Sequence, residues 1–491
     1  NPMVTLYING TPVTVPSGTT LLEAAEQAGA RIPTLCHAPG LPAQTSCMVC
    51  VVEERSSGRL IPACSFRAST PMDILTDSET VHEARRRILE LLMSEHAGDC
   101  EAPCRRLCPA GLNIPLMLRF IARGEEEKAA RLAAADLALP LTLGWVCHHP
   151  CEAGCRRKSH DESVAIREMH RYAADQFLGG EKTYAPSAAD SDKRAAVVGS
   201  GPAGLAAAWV LRSRGVPVHV FERDALPGGM LRHYPEEELP PGILDQELAA
   251  YTRAGIVFHC GTLIDAGSLS RLFQEYDAVV LACTIESDAA AGVQRAVEDK
   301  YPVRSVRSGK EAAMQALVNL EIAPSPEKPP YDSQLGRVDE AEIQDYMKNR
   351  VPQESLSRSR CPESPKEESG RCLHCDCHAP VSCKLRLYAT RYGARPRAWR
   401  QSARPLVPGL KRDGRLLFDT GKCIKCGLCI EMAKKKGDLP GMAFSGRGFD
   451  TIVTVPFDAP LLEALARSSE ACVAVCPTGA LVFDDQEECS P

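Results

Sequence analysis

The sequence has few aromatic residues, no excess of basic charge and no long apolar run. Aromatics make up 5% of its 491 residues, and the formal net charge is −6. That charge gives no sign of nucleic-acid binding. No apolar stretch approaches the roughly 20 residues needed to span a bilayer. The residues from Val4 to Ile8 read as a strand rather than as a basic, then apolar, leader. No acid–base or nucleophilic constellation for substrate chemistry stands out. A soluble, cytoplasmic chain is expected, and at this length it should fold as three to five modules.

Cysteine is what the sequence has in abundance. There are 23, an odd number, and nearly all lie in close groups, which points to metal rather than to a disulfide framework. Thiolate ligation of iron needs a reducing compartment. The central group begins His96-x3-Cys100-x3-Cys104-x3-Cys108-Pro109 and resumes as Cys147-x3-Cys151-x3-Cys155. Thiolates at every fourth position can converge on one small volume, and soft sulfur ligands select Fe–S clusters or zinc. Six cysteines and a histidine are too many for one tetrahedral zinc and suit a pair of four-iron clusters. The Ala- and Leu-rich span between the two halves reads as helix, and residues 160–178 as another.

Two groups flank this one. Residues 3 to about 80 alternate apolar and polar, with Asn9-Gly10 as a hairpin turn and a helix at 21–28. Within them stand Cys36-x10-Cys47-x2-Cys50-x13-Cys64, whose four thiolates fit a [2Fe–2S] cluster, with zinc as the alternative. An amphipathic helix at 81–93 leads into His96. Near the other end stand Cys372-x2-Cys375-x-Cys377-x5-Cys383, then Cys423-x2-Cys426-x2-Cys429 and, later, Cys472-x3-Cys476-Pro477. The group at 372–383 reads as one further metal site, iron–sulfur before zinc. Residues 324–370, rich in Pro, Ser, Glu and Lys, read as a linker with one helix near 339–348.

Between these groups lies a nucleotide fingerprint. An apolar strand at 194–198 precedes Gly199-Ser-Gly201-Pro-Ala-Gly204 and a helix. A second strand at 216–221 ends in Glu222, and Gly228-Gly229-Met230 follows. The glycines allow a tight turn and close approach of backbone to a pyrophosphate, and Glu222 can accept ribose hydroxyls.

The run from Cys104 through Cys108-Pro109-Ala-Gly-Leu-Asn-Ile-Pro115, with Cys147-His-His-Pro150-Cys151-Glu152-Ala-Gly-Cys155 and Val164-Ala-Ile-Arg167, resembles the small subunit of bacterial glutamate synthase. It is equally similar to the N-terminal domain of dihydropyrimidine dehydrogenase. That resemblance implies one four-iron cluster on Cys100, Cys104 and Cys155 and another on Cys108, Cys147 and Cys151. His96 would be the fourth ligand of the first, since His-x3-Cys also occurs at the histidine-ligated cluster of the large iron–sulfur subunit of respiratory complex I. His170, followed by Glu168, is the choice for the second. It also implies FAD along Gly199, Gly201, Gly204, Glu222, Gly228, Gly229 and Met230. The family's NADPH domain should follow the strand at 277–283, but no room is left for it. Thr284 stands where a glycine is usual, and the Gly-Asp before the last helix is not recognisable. A degenerate, empty fold is therefore the alternative to bound FAD.

The modules at the two ends resemble those of complex I's large iron–sulfur subunit and related hydrogenases. The C-terminal one should hold one [4Fe–4S] cluster on Cys423, Cys426, Cys429 and Cys476. A second is lost, because Ala433, Ala466 and Ser469 replace its cysteines. The expected class is multidomain α/β and α+β. It comprises a β-grasp [2Fe–2S] domain (1–80), a helical double-[4Fe–4S] domain (81–185) and a Rossmann-type FAD domain (190–323). The linker (324–370), the four-cysteine site (371–404) and a ferredoxin-like domain (405–491) complete it. With one [2Fe–2S] cluster, three or four [4Fe–4S] clusters and FAD, it should be an electron-transfer subunit of a multisubunit oxidoreductase. Its expected partners are a diaphorase-type NAD(P)H/flavin subunit and a second redox subunit, such as a hydrogenase, a formate dehydrogenase or ferredoxin. A glutamate synthase-type small subunit and a non-catalytic scaffold or redox sensor are the rivals, and electron bifurcation is open.

Overall fold

The computed structural model describes residues 2–178, 191–285, 293–324, 329–351, 353–395, 398–399 and 409–484. The chain divides into two compact units, and each is built from separate stretches of sequence. The first takes Asn1–Glu101, Lys328–Arg350 and Asp376–Pro491; the second takes Ala102–Glu327 and Val351–Cys375. The two units thus interleave along the sequence.

In the first unit, strand Met3–Ile8 turns at Asn9 and Gly10, both at positive φ, into Thr11–Pro16. The five-stranded sheet is mixed: Met3–Ile8 runs antiparallel to Thr11–Pro16 and parallel to Asp73–Leu75. Helix Leu21–Gln27 starts from a capping box of Thr20 and Glu23 and buries Leu21, Ala24 and Ala25. Helix Glu79–Ser94 is capped by Ser78. Its buried Arg85 donates to the Tyr392 hydroxyl at 2.9 Å and the Val51 carbonyl at 2.8 Å. The C-terminal part folds strands Leu410–Asp413, Leu416–Asp419 and Leu481–Phe483 into an antiparallel sheet beside helices Leu428–Lys436 and Ser469–Val475.

In the second unit, helices Ile114–Arg123, Glu126–Leu137, Pro140–Val146 and Ile166–Leu178 share one core, in which small residues such as Ala129, Ala130 and Ala133 let helices approach closely. A parallel sheet follows in the order Gln294–Arg295, Ala278–Leu281, Ala195–Val198, Val218–Phe221, Val257–His259. Helices Pro202–Ser213 and Pro302–Asn319 pack on one another, and a side chain at Gly309 would strike the Ala203 carbonyl. Strand Gln294–Arg295 pairs directly with Ala278–Leu281, so the sheet continues without a second Rossmann domain between them.

One expectation needs correction. The segment 324–370, expected as a linker, is packed where it is described: Tyr346 is buried in the first unit and Glu368 in the second, next to buried Arg371. Its charges are paired inside, Arg371 binding Glu368 at 2.8 Å and Asp161 at 3.2 Å, which composition alone could not reveal. Helix Glu79–Ser94 lies in the first unit. Among the described residues, no single helix is long and apolar enough to cross a membrane.

Candidate metal centres and nucleotide cleft

Four thiols meet over the first sheet. The Cys36 thiol is held low by hydrogen bonds from Cys47 and Cys64, and Cys50 is drawn down to about 7 by Cys64. Cys47 and Cys64 are pushed up in return by the same contacts. The Cys47 N–H donates to the Cys36 sulfur at 3.4 Å.

Cys100 does not join Cys104. It lies ahead of helix Pro103–Leu107, so the x3 spacing does not continue through one helical face. Cys100 belongs instead with Cys377 and Cys383 in the first unit. The Cys377 N–H donates to the Cys100 carbonyl at 3.2 Å, and the Ser333 N–H to the Cys100 sulfur at 3.3 Å. Burial and the neighbouring Cys377 push the Cys100 thiol to about 11 and the Cys383 thiol to about 12. His96 is buried on the same loop, and the Ala97 N–H pins that loop to the Gly421 carbonyl at 2.8 Å.

In the second unit, Cys104, Cys155, Cys372 and Cys375 line one enclosed cavity with Ile114, Leu118 and Ile166. Burial, then the charges of Cys155, Cys372 and Cys375, raise the Cys104 thiol well above its ordinary value. The cysteines at 372–383 therefore do not surround one point: two serve each unit. Among the described residues, no three His, Cys, Asp or Glu side chains close to single-ion distance. A second cavity is lined by Cys108, Cys147, Cys151 and His170. The His170 Nδ1 lies 3.3 Å from the Pro140 carbonyl, and burial lowers its pKa to about 4, so the ring is neutral with Nε2 left over. Glu168 turns instead to Arg167 at 3.3 Å and Arg360 at 3.6 Å.

Cys423, Cys426, Cys429 and Cys476 form the last group, and burial followed by mutual repulsion raises the first three. Cys472 is apart, its thiol donating to the Ser468 hydroxyl at 3.4 Å within a core of Ala433, Met442 and Leu465. The same pattern recurs across the groups: a backbone N–H meets a cysteine sulfur at 3.4 Å from Lys425, His149 and Arg386. Groups of buried thiols with raised pKa values, served by such donors, fit the iron of a cluster, which supplies the compensating positive charge. Sequence reading missed Lys422, buried beside Cys423. Burial alone would lower its pKa, but Cys377 and Asp419 raise it, with Asp419 at 3.3 Å.

The nucleotide fingerprint forms as expected in backbone. Gly199 sits at φ 101°, where its Cβ would stand 2.8 Å from the Ala282 carbonyl. The turn opens on a 580 Å³ cleft that also includes Met230, Thr284 and Arg295. Glu222 accepts from the Ser200 and Asp224 N–H groups, both at 2.9 Å. These hydrogen bonds outweigh the burial that would raise its pKa and keep it low. The phosphate turn itself does not fit FAD. The Glu298 carboxylate accepts from the Ala203 N–H at 3.0 Å, at the helix N-terminus where a pyrophosphate would lie. The Glu298 side chain stands where the expected FAD cradle would be, and burial pushes its pKa up against the hydrogen bond from Ala203.

Three stretches of the chain match known families. Residues 1–79 match the family of 2Fe-2S iron-sulfur cluster binding domains. Residues 70–181 match dihydropyrimidine dehydrogenase domain II, 4Fe-4S cluster, and residues 197–266 the NAD(P)-binding Rossmann-like domain. The beta subunit of an NADP(+)-dependent formate dehydrogenase from Moorella thermoacetica is 35% identical over 219 residues, 39% of this chain and 31% of that one. The beta subunit of an NADPH-Fe(3+) oxidoreductase from Geobacter sulfurreducens is 34% identical over 206 residues, 40% of this chain and 30% of that one. This chain thus spans about a third of the length of these relatives. An NAD+-reducing [NiFe]-hydrogenase structure aligns over 99% of this chain and 90% of its own at 13% identity and a TM-score of 0.33, too low to carry an argument. One polypeptide thus carries stretches similar to a two-iron cluster domain, to a four-iron domain of dihydropyrimidine dehydrogenase and to Rossmann-like domains.

Proposed function

We propose that the chain is an iron–sulfur electron-transfer subunit of a multisubunit oxidoreductase. The observation that carries this is the sorting, among the described residues, of its cysteines into five groups, most of them buried. One [2Fe–2S] cluster is assigned to Cys36, Cys47, Cys50 and Cys64 on a β-grasp domain. Four [4Fe–4S] clusters are assigned to His96/Cys100/Cys377/Cys383, Cys104/Cys155/Cys372/Cys375, Cys108/Cys147/Cys151/His170, and Cys423/Cys426/Cys429/Cys476 on a ferredoxin-like domain. Such clusters pass single electrons.

The residues of the first unit support a path. Leu35, Cys36, Leu41 and Cys47 share one apolar core with Cys383, Cys426 and Leu428, so three of its groups border the same dry volume. Lys435 ties the two ends of that unit by donating to the Gly40 carbonyl at 3.0 Å. Dry surroundings and N–H···S donors are the means by which a protein sets cluster potentials.

Hydride chemistry is assigned to a diaphorase-type NAD(P)H/flavin partner. The second redox partner is a hydrogenase, a formate dehydrogenase or ferredoxin, and the compartment is the cytoplasm. The similarity to NADP-linked formate dehydrogenase and NADPH-Fe(3+) oxidoreductase subunits supports that assignment. The test is anaerobic reduction of the partner-free chain followed by absorbance. Dithionite should bleach the clusters, while NADH or NADPH should not until a diaphorase is added. Rapid bleaching by NAD(P)H alone would restore the glutamate synthase-type reading.

A further inference from the structure

Glu298 lies at the mouth of the fingerprint turn, three residues past strand Gln294–Arg295 and ahead of helix Pro302–Asn319. Its carboxyl accepts from the Ala203 N–H at 3.0 Å, the first that helix Pro202–Ser213 can offer, since Pro202 has none. The next residue, Asp299, is fixed by the Ser305 hydroxyl, which accepts from the Asp299 N–H at 2.8 Å. A Cβ placed on Gly201 would collide with the Glu298 carboxyl, whose Cδ stands 2.9 Å away. The space that the second fingerprint glycine leaves for a pyrophosphate is therefore the space Glu298 fills. The Gly228-Gly229 turn closes from the other side, where a Cβ on Gly229 would lie 2.9 Å from the Gly201 Cα.

We propose that Glu298 is a built-in occupant of the phosphate turn, which keeps FAD and other pyrophosphate nucleotides out of this Rossmann-like domain. A carboxylate and a pyrophosphate compete for the same N–H donor and the same positive end of the helix dipole. Binding the nucleotide requires Glu298 to leave or to stand beside a like charge. The domain then packs against the four-iron helices as a structural body, and any splitting of electron pairs in the assembly belongs to a flavin on another subunit. This goes beyond the electron-relay reading, which stands with or without a flavin on this chain.

The test uses the full chain with its clusters assembled, the native protein beside Glu298→Gly and Glu298→Gln. Flavin is released by acid and quantified, and FAD and ADP-ribose are titrated by fluorescence and calorimetry. The native chain should release no stoichiometric flavin. Glu298→Gly should bind both ligands at least about tenfold more tightly, the scale of removing a like charge. Glu298→Gln, which keeps the bulk but not the charge, should fall between. Stoichiometric FAD in the native chain would overturn the proposal. So would a Glu298→Gly chain with intact cluster spectra that binds neither ligand better than the native one.

Discussion

Cys377 donates its backbone N–H to the carbonyl of Cys100 at 3.2 Å, although the whole second unit intervenes in sequence. Without the second unit, little more than residues 328–350 of the first stands between His96-x3-Cys100 and Cys377-x5-Cys383. Ser333 of that stretch donates its N–H to the Cys100 sulfur at 3.3 Å, so the group is assembled from three separate stretches of the first unit.

The regrouping predicts how serine substitutions sort. Cys377→Ser should perturb the same electron paramagnetic resonance signal as Cys100→Ser, and Cys375→Ser the same signal as Cys104→Ser. If Cys375→Ser and Cys377→Ser instead affect one common signal, the cysteines at 372–383 form a single site.

His96 should act through charge. A neutral imidazole makes a cluster less negative than a thiolate does and so raises its potential. His96→Cys should lower the midpoint of one cluster by on the order of 100 mV, as judged by Rieske centres. An unchanged set of midpoints with all clusters retained would remove His96 from the ligand shell.

In the C-terminal part, Cys476→Ser should abolish one four-iron signal in the full chain. Cys472→Ser should leave it, because that thiol is spent on Ser468 and the Cys429 carbonyl. Loss of a cluster in Cys472→Ser would contradict the count of one there.

Glu247 supplies a pH-dependent contribution to stability. It is buried and accepts from the Leu141 and Thr142 N–H groups, each at 2.8 Å, capping helix Pro140–Val146 from elsewhere in the fold. Burial raises its pKa to about 7. The folded state thus holds a proton that the unfolded state releases near pH 4.5. This contribution should be complete below that pH and fall away as pH rises through 7. Thermal melts of Glu247→Ala should show a loss of about 1–3 kcal/mol at pH 5, from two orphaned donors. The difference from the native chain should shrink toward pH 8; a difference that grows would reverse the sign of the account.

The sequence made the ligand types legible because cysteine spacing is covalent and survives without a structure. The fingerprint glycines were legible for the same reason, since Gly199 needs its positive φ in any fold of this kind. The partition of ligands was hidden, because Cys104 and Cys100 are neighbours in sequence but join different units. The segment ending near Glu368 read as a linker because composition cannot show that Glu368 meets Arg371 inside the fold. Glu298 was invisible as an anion in the phosphate turn, because only the missing Gly-Asp marked the place.

Iron and acid-labile sulfide in the anaerobically purified full chain, resolved by Mössbauer spectroscopy, test the five-group account most directly. The account predicts about 18 irons per chain, with about one in nine in a two-iron environment and the rest in four-iron clusters. A count of about 14 or fewer in fully reconstituted protein, or zinc in place of iron at 372–383, would contradict it.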